Sequence, residues 1–278
     1  MPGAYDALAP VAKSLGPLWG GDDELRLVLL GSFVGAFFVS IAFLLIWVLV
    51  LAPAIPAHKD RSPTDKIFLA NSFVSSWIAM TAPALAWMSM RKLPWSDMNA
   101  LMVAPADEYA LRAVGLSCGY MLYDLLYCVY YKPMRSPLII GHHFLPVIFW
   151  PYCALESRAL ALVLFFICTE LTNIGQHLRM ILLKLGLEEN PIYTVIGVSW
   201  VVAFFIVRIL PSPYLFSHLV NANYSEFSSY QFWCVFFLCP LPFILNSYWF
   251  YLLFTGVIKF LNKKNLTPAQ REKLRKAA

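Results

Sequence analysis

Charge is what this chain has least of. Asp, Glu, Lys and Arg make up 13% of its 278 residues, about half of the roughly 25% found in soluble domains. That shortage excludes a sizeable soluble domain. The six cysteines form no CxxC pair and all lie in apolar runs, which excludes a secreted disulfide framework and leaves them as small apolar packing residues. Residues 1–25 hold no compact apolar stretch followed by a cleavage site, so no cleavable signal peptide is expected. No GxxxxGK[ST] loop occurs, which excludes a P-loop nucleotide site. The five histidines, at 58, 142, 143, 177 and 218, show no HxxxH or HxxHH spacing. A membrane di-iron oxygenase needs such boxes and is excluded. Lys259 falls at the end of the last apolar run rather than midway along it, a poor match to a retinal protein.

What the chain has in excess is apolar length. It is 60% hydrophobic, with a mean hydropathy of +0.65. A membrane helix needs about 20 mostly apolar residues. Seven runs qualify: Leu27–Leu51, Ile67–Met90, Tyr109–Tyr131, Pro137–Leu155, Ala159–Leu183, Ile192–Leu210 and Phe232–Leu261. The expected fold is all-α and polytopic, with about seven transmembrane helices. Spans three, four and five are joined by short loops and are expected to be antiparallel neighbours. The organisation reads as an N-terminal segment over 1–25, a first anchor and loop over 26–64, a membrane domain over 65–261, and a basic tail over 262–278.

The net charge of +5 serves topology and gives no sign of a nucleic-acid partner. About 14 Lys and Arg fall on the side holding the first, third and fifth loops and the C-terminus, against about 6 on the other side, with Arg208 left out as lying within a span. The positive-inside rule then puts the C-terminus in the cytosol and the N-terminus in the lumen or exterior. The loop from Pro211 to Gln231 carries no Lys or Arg and holds the sequon Asn223-Tyr-Ser225, in agreement with a luminal position. The tail ends Arg275-Lys276-Ala-Ala, loosely like a dibasic ER-retrieval signal.

Against this background, His142-His143 stands out, because the pair lies inside span four. Ionisable groups at membrane depth mark functional sites by default. Span three runs toward the cytosol and carries Asp124 about two turns from its end. Span four starts there and carries both imidazoles in its first two turns. Span five returns there with Glu170, Asn173, Gln176, His177 and Arg179. Three successive helices thus bring ionisable groups to one level. Glu170, Asn173 and His177 share a face by their i, i+3, i+7 spacing, and Tyr120, Asp124, Tyr127 and Tyr131 share another. Adjacent helical residues point about 100° apart, so only one of His142 and His143 is expected to aim straight into a shared cavity. Arg208 is expected to snorkel from the luminal end of span six, and Asn246 to bond between helices.

A histidine beside carboxylates suits general-base or nucleophilic catalysis. His142, His143, Asp124 and Glu170 are therefore the candidate catalytic groups, the acids orienting an imidazole. Asn173, His177, Arg179, Tyr120, Tyr127 and Asn246 are the candidate substrate contacts. His142, His143, His177 and a carboxylate could ligate zinc, but their spacing is not specific, and no metal is expected. A buried site open to the cytosol suits an amphiphile, so membrane lipids are the expected partners and acyl-CoA a candidate co-substrate, with no tightly bound cofactor. Oligomeric state leaves no trace in the sequence.

Tyr123-Asp-Leu-Leu-Tyr127, Gly141-His-His-Phe144, Thr169-Glu-Leu-Thr-Asn173 and Arg179 together resemble the TLC superfamily, which includes ceramide synthases, the translocating-chain-associating protein and the TLC-domain-containing proteins. The resemblance runs from about Asp65 to Leu261. Phe205-Ile-Val-Arg-Ile209 and the tail are similar to the branch around TLC-domain-containing protein four. The resemblance implies an ER-type protein whose core six helices ring a lipid-accessible cavity, with His142 and His143 at the position of the ceramide synthases' acyl-transfer histidines. Those enzymes carry His-Asp-x-x-Asp where this chain reads Thr169-Glu-Leu-Thr-Asn173, one acid altered and the other replaced by an amide. That departure points away from a sphingoid base and leaves a lysolipid or glycerol derivative open as acceptor. The non-enzymatic alternative is a lipid-binding or trafficking protein that controls membrane lipid composition.

Overall fold

The computed structural model describes residues 2–264; the last fourteen residues, including the expected retrieval-like ending, lie outside the described residues. Seven helices are long and apolar enough to cross a membrane: α1 (Asp23–Ala54), α2 (Pro63–Met90), α3 (Glu108–Tyr130), α4 (Pro137–Leu155), α5 (Leu160–Lys184), α6 (Pro191–Asn221) and α7 (Ser229–Phe260). No strand occurs among the described residues. The expected all-α polytopic fold is what the chain adopts. A short helix, Pro2–Ser14, precedes α1 and buries Ala12 against the core.

Local chemistry sets where the helices begin. The side chains of Asp22, Ser62, Asp107 and Asn190 each accept a backbone N–H from the first turn of α1, α2, α3 and α6, satisfying donors that a helix start leaves orphaned. Ser228 and Gln231 form a reciprocal capping box at the start of α7. Pro63, Pro137 and Pro191 occupy first helical positions, where a missing N–H costs nothing.

α3 is the hub. It packs against α1, α2 and α4. Its contact with α1 runs along Gly115-Leu-Ser-Cys-Gly119. A Cβ on Gly115 would run into the carbonyl of Leu29, and one on Gly119 into the carbonyl of Phe33. Membrane helices use small residues four apart for such close backbone approach. α2 packs on α5, α5 on α6, and α6 on α7. α7 meets α4 where Trp249 packs on His142 and Tyr230 on Tyr152, so the six helices α2 to α7 close a ring, and α1 lies against its outside.

Two irregular turns reshape the ring where polar groups sit. α5 tightens into a 3₁₀ turn at Glu170–Thr172. α6 widens into a π turn at Phe205–Ile209, an irregularity found mostly as single turns at functional positions. α6 also runs eleven residues past Leu210, where the sequence pattern ends the span. The extension carries Pro211 and Pro213 at the start of its last segment, Ser212–Asn221, where proline is tolerated.

Candidate functional site

A cavity of about 410 Å³ lies inside the ring. All six ring helices contribute to its wall. α2 supplies Asn71, Ser72 and Ser75; α3 supplies Tyr120, Asp124 and Cys128; α4 supplies His142 and His143. α5 supplies Glu170, Asn173, Gln176 and His177; α6 supplies Trp200 and Arg208; α7 supplies Trp249 and Leu252. α1 contributes nothing to it. The expected convergence of acids and imidazoles from spans three, four and five is therefore present in one hollow.

On one side, Nδ1 of His143 lies 3.0 Å from Oδ2 of Asp124. The approach is too oblique for a hydrogen bond: among the described residues, neither His143 Nδ1 nor Asp124 Oδ1 has a hydrogen-bond partner. The Cys128 thiol, one turn along α3, donates to Asp124 Oδ2 over 3.8 Å. Both histidines line the wall, and His143 is the one that meets a carboxylate. His142 turns its ring edge to Trp249 at 5.0 Å between centroids, and the two imidazoles are 5.2 Å apart. The 100° between adjacent residues is accommodated because the cavity wraps around this face of α4. A narrow apolar slot of about 60 Å³ adjoins the cavity between α4, α5 and α7, lined by Leu145, Phe149, Val163, Phe166 and Leu245, with His142 on both walls.

On the other side sits Arg208, buried with 3% exposure. Its guanidinium donates from Nε to Thr172 Oγ1 at 2.9 Å, from Nη1 to Asn246 Oδ1 at 3.1 Å, and from Nη2 to the Thr169 carbonyl and Asn173 Oδ1, each at 2.9 Å. Nη2 also reaches Glu170 Oε1 at 3.4 Å, and Asn173 Nδ2 donates to Glu170 Oε2 at 2.5 Å. The snorkelling expected of Arg208 is therefore wrong. It came from ending span six at Leu210; with α6 continuing to Asn221, Arg208 lies well inside the helix, level with Glu170.

The remaining candidates divide. Glu170, Asn173 and His177 share the cavity face of α5, as their spacing requires, and Tyr120 lines the wall while donating its hydroxyl to Ser75 Oγ at 2.6 Å. Tyr127 is turned away: its hydroxyl donates to the Ile67 carbonyl at 2.9 Å, and its ring packs at a tilt between Tyr123 and Tyr131. The cavity face of α3 follows 120, 124, 128 rather than 120, 124, 127, because α2 covers the Tyr127 side. Arg179 lies over the ring of Tyr193 at 4.8 Å, tying α5 to α6 off the wall. Asn246 acts behind the wall through Arg208. Direct substrate contact by Tyr127, Arg179 and Asn246 is thus not what their placement offers. Arg208, Cys128, Trp200 and Trp249 are wall residues that the spacing arguments passed over.

The TLC domain family model matches residues 68–255, which is the ring and leaves α1 out. The chain belongs to the TLC-domain family. TLC domain-containing protein 4 A of Dictyostelium discoideum is 26% identical over 221 residues, covering 78% of this chain and 84% of that protein. TLC domain-containing protein 4 of Xenopus tropicalis is 26% identical over 161 residues, covering 54% of this chain and 61% of that protein. Every wall group named above lies inside the TLC domain. The family membership agrees with a membrane protein of lipid-related role.

Proposed function

We propose that this TLC-domain protein transfers an acyl group from acyl-CoA to a membrane lipid acceptor at the cavity, with His143 as proton acceptor. The observation that carries this reading is the Asp124–His143 pair, 3.0 Å apart at the wall of a hollow large enough for a lipid's polar end. A small rotation of the ring aligns Nδ1–H with the carboxylate; catalytic hydrogen bonds are often loose before substrate binds. Asp124 then fixes the tautomer, and Nε2 is the free base, as a carboxylate does for a hydrolase histidine. The acceptor hydroxyl gives its proton to Nε2 and its oxygen attacks the thioester carbonyl. The C–S bond breaks, the CoA thiolate leaves, and it takes the proton from His143. Arg208 holds Glu170 and Asn173 in a fixed array, leaving the polar wall preorganised for the acceptor head group. The slot beside His142 suits an apolar chain. The charge asymmetry of the loops supports a cytosolic C-terminus and a cavity served from the cytosol, and the resemblance supports the endoplasmic reticulum.

The test is CoA release by purified protein in lipid nanodiscs, with acyl-CoA and a panel of lysolipid, glycerol-derived and long-chain amine acceptors. Wild type is expected to release CoA with at least one acceptor, and His143→Ala at equal fold is expected to lose it. Absence of release with every acceptor overturns the enzyme reading. The second reading, a protein that holds lipid without turnover, draws on Arg208: Glu170 and Asn173 are already engaged by it. Lipid co-purifying with a protein that releases no CoA would favour that reading.

A further inference from the structure

We infer that Asp124, Cys128 and His143 form a zinc site, and that zinc held there blocks the Asp124–His143 pair on which the proposed transfer rests. One carboxylate oxygen, one thiol sulfur and one imidazole nitrogen lie within 4.8 Å of one another. Asp124 and Cys128 are i and i+4 on α3, which puts both donors on one face one turn apart; His143 comes from the facing helix α4. Zinc accepts this mixed set, at about 2.0–2.3 Å from each donor. Bringing the three donors to that range asks for shifts of about an ångström.

Independent features point to a ligand here. Asp124 Oδ1 and His143 Nδ1 are buried and have no hydrogen-bond partner among the described residues. A polar group buried without a hydrogen bond is unfavourable, and a cation would engage both side chains. All three residues also line the cavity, so an ion has a way in. Three protein ligands leave a fourth position facing the hollow, as at open rather than purely structural zinc sites.

Zn²⁺ binds the Asp124 carboxylate and the neutral His143 nitrogen, and displaces one proton from the Cys128 thiol. With Nδ1 on the metal, the remaining proton sits on Nε2, so His143 can no longer accept one from a substrate. The cluster escaped the spacing arguments because its cysteine lies in an apolar run and its ligands come from two helices.

The experiment uses the full chain in nanodiscs, stripped with chelator and then dialysed against micromolar zinc. Metal is counted by mass spectrometry and the shell is read by zinc-edge X-ray absorption. About one zinc per chain with a single sulfur neighbour is expected, falling to background in Cys128→Ala and persisting in His177→Ala. Wild type that stays zinc-free, or Cys128→Ala that retains its zinc, overturns the proposal. If Cys128→Ala fails to fold, the sulfur neighbour in the wild-type spectrum decides: its absence overturns the site. Zinc is further expected to lower CoA release at least tenfold in wild type. Unchanged release overturns the blocking role. A protein that binds zinc through sulfur but releases no CoA at all would keep the site and reject the acyl-transfer reading.

Discussion

Arg208 on α6 and Glu170 on α5 face each other inside the ring, with Nη2 3.4 Å from Oε1. The pair is not isolated. Thr172, Asn173, Asn246 and the Thr169 carbonyl also accept from the guanidinium, so that each of its three nitrogens has a partner, and Asn173 bonds the far oxygen of Glu170. A buried charge is tolerable only when its partners are this complete. The 3₁₀ turn in α5 and the π turn in α6 are where these residues lie. Both irregular turns thus fall where α5 and α6 bring opposite charges together.

Removing the guanidinium should therefore cost more than an ordinary core truncation. Arg208→Ala leaves Glu170 uncompensated, and the expected loss is about 3–5 kcal/mol, read as a large drop in melting temperature in detergent. Arg208→Lys should recover only part of it, because one ammonium cannot reach all the acceptors arranged around a planar guanidinium fork. A melting temperature for Arg208→Ala within a degree or two of wild type would contradict the network.

Exchanging Asp124 for Asn keeps the size of the side chain but removes the charge that orients His143. CoA release is expected to fall by about 10²–10⁴, with the melting temperature nearly unchanged and acyl-CoA still bound. A rate equal to wild type would separate Asp124 from the chemistry.

The seam between α1 and α3 gives a prediction about stability alone. Gly119→Val must push Phe33 and its backbone away, and overpacking of this kind costs about 1–3 kcal/mol. Per folded molecule, CoA release should be unaltered, since α1 contributes nothing to the cavity wall. A fall in the folded fraction with constant specific activity is the expected pair of measurements.

One acid-sensitive contact lies outside the membrane segments. Burial alone would raise the Asp107 carboxyl, but the Lys92 ammonium, the Ala110 amide and the Ser89 hydroxyl outweigh it and hold Asp107 below its ordinary range. A carboxylate lowered in the folded state adds stability that is fully present above its unfolded pKa, about 3.9, and is lost as pH falls through the folded value. Wild type should lose stability below about pH 4 more steeply than Asp107→Asn. Parallel melting curves for the two proteins across that window would show that the contact with Lys92, 2.7 Å long and half-exposed, carries no weight.

Most of the fold was legible in the sequence because membrane spans are read from length and apolarity, and seven runs gave seven helices. The core of the site was legible too. Asp124, His142, His143 and Glu170 are too polar for hydrocarbon, and depth alone put them at one level. What escaped depended on how far helices run and how they turn. Arg208 was misplaced because Pro211 looked like an end, while α6 passes through it. Tyr127 and Cys128 differ by one position, and only the tilt of α3 against α2 decides which of them meets the hollow. Asn246 was rightly expected to bond between helices, but its partner was hidden until Arg208 moved inward. Cys128 looked like filler because a thiol in an apolar run usually is.

The outlying position of α1 has its own consequence. The first span touches the ring along a glycine seam and owns none of the groups that face the interior. It works as a buttress, and a buttress can be remade without redrawing the room it supports. Selection can thus tune lifetime in the bilayer through Leu29, Phe33 and their glycine counterparts while the chemistry inside is left alone.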